Sequence, residues 1–232
     1  MFFLMDFHNE PDKKKENGNE LLDKIDILSK KLNIKDELSL CNLYAYLLYT
    51  GKLSIYKVFN YYKEDIKDNG FYNLMLGYGC CRNIANGLKG VLDKANVKNC
   101  ILATAPLYKR KSNHVVNLII TDEGYFIYDA TNMFFMKGTG NLLTTLNYKT
   151  MPTKVTNIKT TFNGSTRDFY SKDDKIFKAS PVLKECKCLK YTKEEYLNQY
   201  ENDIAFFKEN EDLFIKFYDD AFDNIKEITN SI

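Results

Sequence analysis

The first regular pattern of apolar positions begins at Leu21. Leu21, Ile25, Leu28 and Leu32 recur at helical spacing, and the polar, charged stretch from Asn9 to Glu20 before them predicts disorder over residues 1–20. A stronger helix is predicted from about Asp36 to Thr50. Leu40, Leu43, Tyr44, Leu47 and Leu48 share one side of it, and Gly51 suits its C-terminal cap. Ile55, Val58, Phe59 and Tyr62 make a third stripe and predict a helix near Ser54 to Tyr62, after which Gly70 breaks the pattern. From Cys80 to Lys94 the period is helical again. Ile84, Leu88, Val91 and Leu92 share a face, and Cys81 lies on that face three residues before Ile84.

Strand patterns follow at Asn99 to Ala103, Asn113 to Ile120 and Gly124 to Asp129. The Thr-, Lys- and Asn-rich stretch from Asn141 to Ser180 carries only weak strand signals. The last forty residues are helical: Thr192-x-x-Glu195 has capping-box spacing, and Phe214, Phe217, Tyr218, Ala221, Ile225 and Ile228 form a long apolar stripe that reads as core packing. With no internal repeat and no clear linker, residues 21–232 read as one α+β domain, with helical extensions at both ends and a C-terminal one over 192–232.

Thr121-Asp122-Glu123-Gly124 separates two alternating apolar runs and predicts a hairpin. With Asp122-Glu123 as a two-residue loop, His114 faces Thr131 and Asp129 faces Val116. Asp129 and His114 are then diagonal neighbours on one face, roughly 7–8 Å apart at Cα and within side-chain reach.

Composition narrows the function classes. The 232 residues carry a net charge of +2, so nothing suggests a nucleic-acid partner. Hydrophobic content of 44% is ample for a core, and no apolar run approaches the roughly 18 residues needed to span a bilayer. Met1 to Phe7 is short, interrupted by Asp6 and followed by acids and lysines, unlike a secretory signal. The expectation is a cytoplasmic protein with no membrane association. The cysteines at 41, 80, 81, 100, 186 and 188 are too sparse for a disulfide scaffold, and Cys80-Cys81 and Cys186-x-Cys188 lack the gap of a structural zinc site. Mostly free thiols are expected, with no metal and no cofactor.

Of the two histidines, His8 lies in the polar N-terminal segment, which leaves His114. Cys81 opens a helix after Gly77-Tyr78-Gly79, so the helix dipole favours its thiolate. The common fate of a free cysteine is burial in the core, and the adjacent Cys80 competes for the same role. Yet the order Cys, His, Asp on a helix start and two paired strands supplies a nucleophile, a base and a group that orients the base. The Cys81 N–H is a natural oxyanion donor, and a second should come from upstream, with Tyr72, Asn73 and Tyr78 as candidates.

These residues resemble the transglutaminase-like superfamily. Gly79-Cys80-Cys81-Arg82-Asn83-Ile84-Ala85 is similar to its Gly-x-Cys-(Arg/Gln)-Asp-(Phe/Tyr)-Ala nucleophile motif, and Cys81 then matches the nucleophile. Leu88 to Val97 resembles the stretch that follows. Asn113-His114-Val115-Val116-Asn117 resembles the His segment, and Tyr128-Asp129-Ala130-Thr131 the Asp-Pro-Thr segment. The resemblance covers about residues 70–132. It departs from the pattern at Asn83, Val116 and Ala130, and the chain has no Trp. It implies a papain-like core, a nucleophile helix packed on an antiparallel sheet, and acyl chemistry on a peptide or protein amide by a Cys81–His114–Asp129 triad. Hydrolysis by a peptidase or amidase is expected. Crosslinking by a protein transglutaminase and a non-catalytic peptide- or protein-binding domain are the alternatives. The triad reading requires Cys81 Sγ within about 4 Å of a His114 nitrogen.

Overall fold

The computed structural model describes residues 11–62, 71–106, 114–131, 146–147, 158–162, 165–171, 191 and 193–229. Helix α1 runs Pro11–Lys31 and α2 runs Glu37–Tyr49. Strand β1, Asn60–Tyr61, precedes the short α3, Phe71–Met75, and β2, Tyr78–Gly79. Helix α4, Cys81–Lys94, leads into β3, Lys98–Pro106, β4, His114–Ile120, and β5, Tyr125–Tyr128. Strands β6, Leu146–Asn147, β7, Ile158–Phe162, and β8, Ser165–Ser171, come next. Helices α5, Lys193–Glu209, and α6, Glu211–Thr229, end the described chain. The protein is therefore mixed helix and strand.

Six strands form an antiparallel sheet in the order β5-β4-β3-β8-β7-β6. Strands β1 and β2 form a separate parallel pair, with Tyr61 opposite Gly79. The hairpin expected at Thr121–Gly124 is present. Thr121 N–H donates to Gly124 O at 2.8 Å, and Asn117 lies opposite Tyr128 through to Ile120 opposite Tyr125. This is the register that a two-residue Asp122-Glu123 loop demands.

Helix α2 is the centre of the core. Asp36 caps it by accepting from Ser39 N–H at 2.8 Å, and every residue from Leu38 to Leu48 is buried. Its C-terminus closes as a Schellman motif: Lys52 N–H reaches Leu47 O and Gly51 N–H reaches Leu48 O, with Gly51 at φ +73°. The predicted stripes of α1 and α4 are buried, and so are Phe214, Phe217 and Tyr218 of α6. Ile225 and Ile228 have side chains outside the described set, and Thr192 lies outside the described residues.

Two expectations change. The polar segment expected to stay disordered to residue 20 is helical from Pro11. Proline suits the first helical position, Glu20 pairs with Lys24 at 3.4 Å, and Gly18 is buried beside Phe71. The helix expected near Ser54 to Tyr62 is absent. Lys57 takes a positive φ of 53°, Ile55 N–H donates to Met75 O, and Asn60 N–H donates to Gly77 O at 2.7 Å. The chain leaves a helical path to pair with the segment before the cysteines.

Among the described residues no helix is long and apolar enough to cross a membrane.

Candidate active site

The turn before α4 is built around glycine. Gly77 holds φ +80°, and a Cβ there would lie 2.7 Å from both Ser54 Oγ and Val58 O. Only glycine fits such a left-handed, crowded position. The turn delivers Cys80 in an extended conformation as the N-cap of α4 and Cys81 as its first residue.

The two cysteines have different surroundings. Cys80 is 5% exposed, its N–H donates to Asn83 Oδ1 at 3.0 Å, and its thiol lies 3.2 Å from the same oxygen. Cys80 is thus engaged in capping. Cys81 is half-buried at the start of a 14-residue helix, where the dipole favours a thiolate. The same contacts account for Asn83 standing where the resembled motif has Asp. The position requires an oxygen that accepts the N-cap N–H, and an amide supplies one.

Helix α4 lies along β4. Asn117 Nδ2 donates to Ala85 O at 2.9 Å. Toward the other end Asn99 Nδ2 donates to Asp93 Oδ1 at 2.9 Å, and Asn99 pairs with Ile119. The helix and the strand therefore run in the same sense, with the N-terminus of α4 at the His114 end of β4. Cys81 is one helical turn, about 6 Å, back from Ala85. His114 is three strand residues, about 10 Å, back from Asn117. Asp129 follows β5 directly, at the level of Val116, and is 1% exposed. The backbone brings the three predicted residues to one end of the α4–β4–β5 layers. The side chain of His114 lies outside the described set, and with it the Cys81–His114 distance and the Asp129–His114 hydrogen bond.

Tyr61 was not among the residues singled out by sequence. The parallel pairing of β1 with β2 sets it opposite Gly79, and Tyr62 N–H donates to Gly79 O at 2.9 Å. Its hydroxyl accepts a hydrogen bond from the Cys81 backbone and shares another with the Cys81 thiol. Burial first, then the neighbouring Cys81, pushes the Tyr61 hydroxyl up to about 12. Only the long-range pairing of β1 with β2 reveals this contact, and no local motif carries it. Of the upstream candidates, Tyr72 and Asn73 sit on α3, Asn73 buried, and Tyr78 is half-buried on β2 with its ring 5.7 Å from Tyr62.

Cys41 is a useful contrast. It is fully buried in α2, and burial, followed by the charges of Asp36 and Glu37, pushes its thiol well above the usual range. Brief iodoacetamide treatment near neutral pH should therefore label Cys81 first and leave Cys41 unmodified until the protein unfolds. Peptide mapping decides the order. Dominant labelling of Cys80 would move the nucleophile by one residue, and label confined to Cys186 and Cys188 would count against the site.

Among the described residues no cluster of His, Cys, Asp or Glu is arranged to hold a metal ion. Comparison with family models, curated proteins and solved structures finds no match to this chain.

Proposed function

We propose that the protein is a cysteine hydrolase of peptide amides with a papain-like, transglutaminase-type core. The observation that supports this reading is a helix-opening, half-exposed Cys81 at the same end of the layers as the start of β4 and the end of β5, the positions of His114 and Asp129. His114 takes the Cys81 proton, and the thiolate attacks the amide carbonyl. The Cys81 N–H stabilises the oxyanion, and His114 protonates the leaving amine. Asp129 fixes the imidazole tautomer. Water then attacks the thioester with His114 as base, which frees the acid and restores the thiol. No cofactor takes part in these steps.

Hydrolysis is favoured over amine transfer because no Trp is available to wall the acyl-enzyme off from solvent, and water is the default acceptor of an exposed thioester. A peptide-library digest with a primary-amine trap tests this. Cleavage should exceed amine incorporation and vanish in Cys81→Ala. Dominant incorporation would make the protein a transglutaminase. Peptide binding without turnover, equal in wild type and Cys81→Ala, would make it a binding domain.

A further inference from the structure

We infer that the Tyr61 hydroxyl is the second donor to the oxyanion, together with the Cys81 N–H. The inference rests on the hydrolase reading and assigns a residue of the same site.

Three features carry it. The β1–β2 pair sets Tyr61 opposite Gly79, two residues before the nucleophile, so its backbone is fixed beside the start of α4. The Tyr61 oxygen rests on the Cys81 N–H, the group that an oxyanion would occupy, and also reaches the thiol. It therefore touches both atoms that flank a reacting carbonyl. Finally, the hydroxyl keeps its proton across the neutral range, so it can donate there. When a carbonyl oxygen takes the hydroxyl's place on the amide, the displaced O–H lies beside it and donates to it. Two donors aimed at one developing charge is the arrangement that lowers the barrier to a tetrahedral intermediate.

The test compares two reactions of Cys81 in the intact protein, one that passes through an oxyanion and one that does not. With p-nitrophenyl acetate the thiolate sulfur bonds to the acetyl carbon and the C–O bond to p-nitrophenolate breaks. The thiol proton goes to His114. With iodoacetamide the sulfur displaces iodide from a methylene carbon, and no oxyanion forms. Tyr61→Phe should slow acetylation of Cys81 on the order of tenfold to a hundredfold while alkylation changes less than about threefold. Tyr62→Phe, on the exposed neighbour, should leave both rates unchanged. The thermal midpoint of Tyr61→Phe should match wild type, because the ring is retained.

The inference is overturned if Tyr61→Phe leaves acetylation unchanged or slows both reactions equally. It is also overturned if the loss appears in Tyr72→Phe or Tyr78→Phe instead. Faster acetylation in Tyr61→Phe would make the hydroxyl a plug on the amide and not a donor. Failure of the hydrolase reading has a separate signature: neither reagent prefers Cys81 over the other thiols in wild type, and both inferences then fall together.

Discussion

Cys81→Ala should lower amide turnover to background, a loss on the order of 10⁴- to 10⁶-fold for a nucleophile acting as part of a unit. His114→Ala should cost nearly as much. Without the base the thiol keeps its proton and the leaving amine receives none, so the two losses do not add. Asp129→Ala should cost less, because the carboxylate orients the imidazole and does not itself exchange protons. The three variants, assayed beside wild type on a library-selected peptide and checked by circular dichroism, give a ranking that is hard to produce in another way. Cleavage by Cys81→Ala at the wild-type rate would end the hydrolase reading. Loss in Asp129→Ala together with a broad drop in stability would show that this buried residue serves the fold first.

The second large effect concerns the C-terminal helices. Phe214 is fully buried, with its ring centroid 5.0 Å from Tyr46 of α2 and 5.7 Å from Phe207 of α5. Phe214→Ala should destabilise the protein by about 3–5 kcal/mol, since the transfer loss and the cavity between two rings both count. For a chain of this size that corresponds to a thermal midpoint lower by about 10 °C. Urea or thermal unfolding measures it. A shift under about 2 °C, which corresponds to less than about 1 kcal/mol of stability, would mean that α6 is an appendage and not a wall of the core.

The polar contacts agree with the larger effect. Asn42 of α2 accepts from the Tyr128 hydroxyl at 2.8 Å and donates to Asp203 of α5 at 2.7 Å. Asp203 also accepts from Ser39 and Gln199. A buried amide and hydroxyl would lose these partners if α5 moved away. The strand that leads into Asp129 is thereby tied to the C-terminal region through the central helix.

Much of this was legible in the sequence wherever one face of an element decides its burial. The stripes of α1 and α4 were readable because a helix hides one side in a regular period, whereas α2, buried all round from Leu38 to Leu48, showed only part of its burial as a stripe. The β4–β5 register was readable because a two-residue loop leaves a single parity. The Ser54 to Tyr62 segment misled for the same reason. Ile55, Val58, Phe59 and Tyr62 have helical spacing, but Val58 and Tyr62 are exposed, and the segment is shaped by hydrogen bonds to residues 75–79. Those partners are remote in sequence and leave no periodic trace. Tyr61 was missed with them, because a residue placed by a two-residue parallel pairing carries no local signature. The helix over Pro11 to Glu20 was missed because polar composition reports the lack of a buried face, and the rest of α1 supplies that face downstream.

One contact in the middle of α4 sets how the helix that Cys81 opens can vary. The Tyr44 hydroxyl donates to Ile84 O at 2.9 Å, and a methyl at Gly87 would sit 2.5 Å from the Tyr44 hydroxyl oxygen and 2.9 Å from Leu74 Cδ1. Both neighbours are side-chain ends packed in the core, fully buried, so a side chain at 87 pushes the helix off its seat or breaks the tyrosine contact. A shift of 1 Å is small for stability and large for attack on a carbonyl. Under selection for activity, position 87 is therefore closed while position 89, whose lysine reaches Asp93 at the surface, stays open. In a mutational scan for the proposed activity, variants at 87 should accumulate as folded protein with a lowered rate.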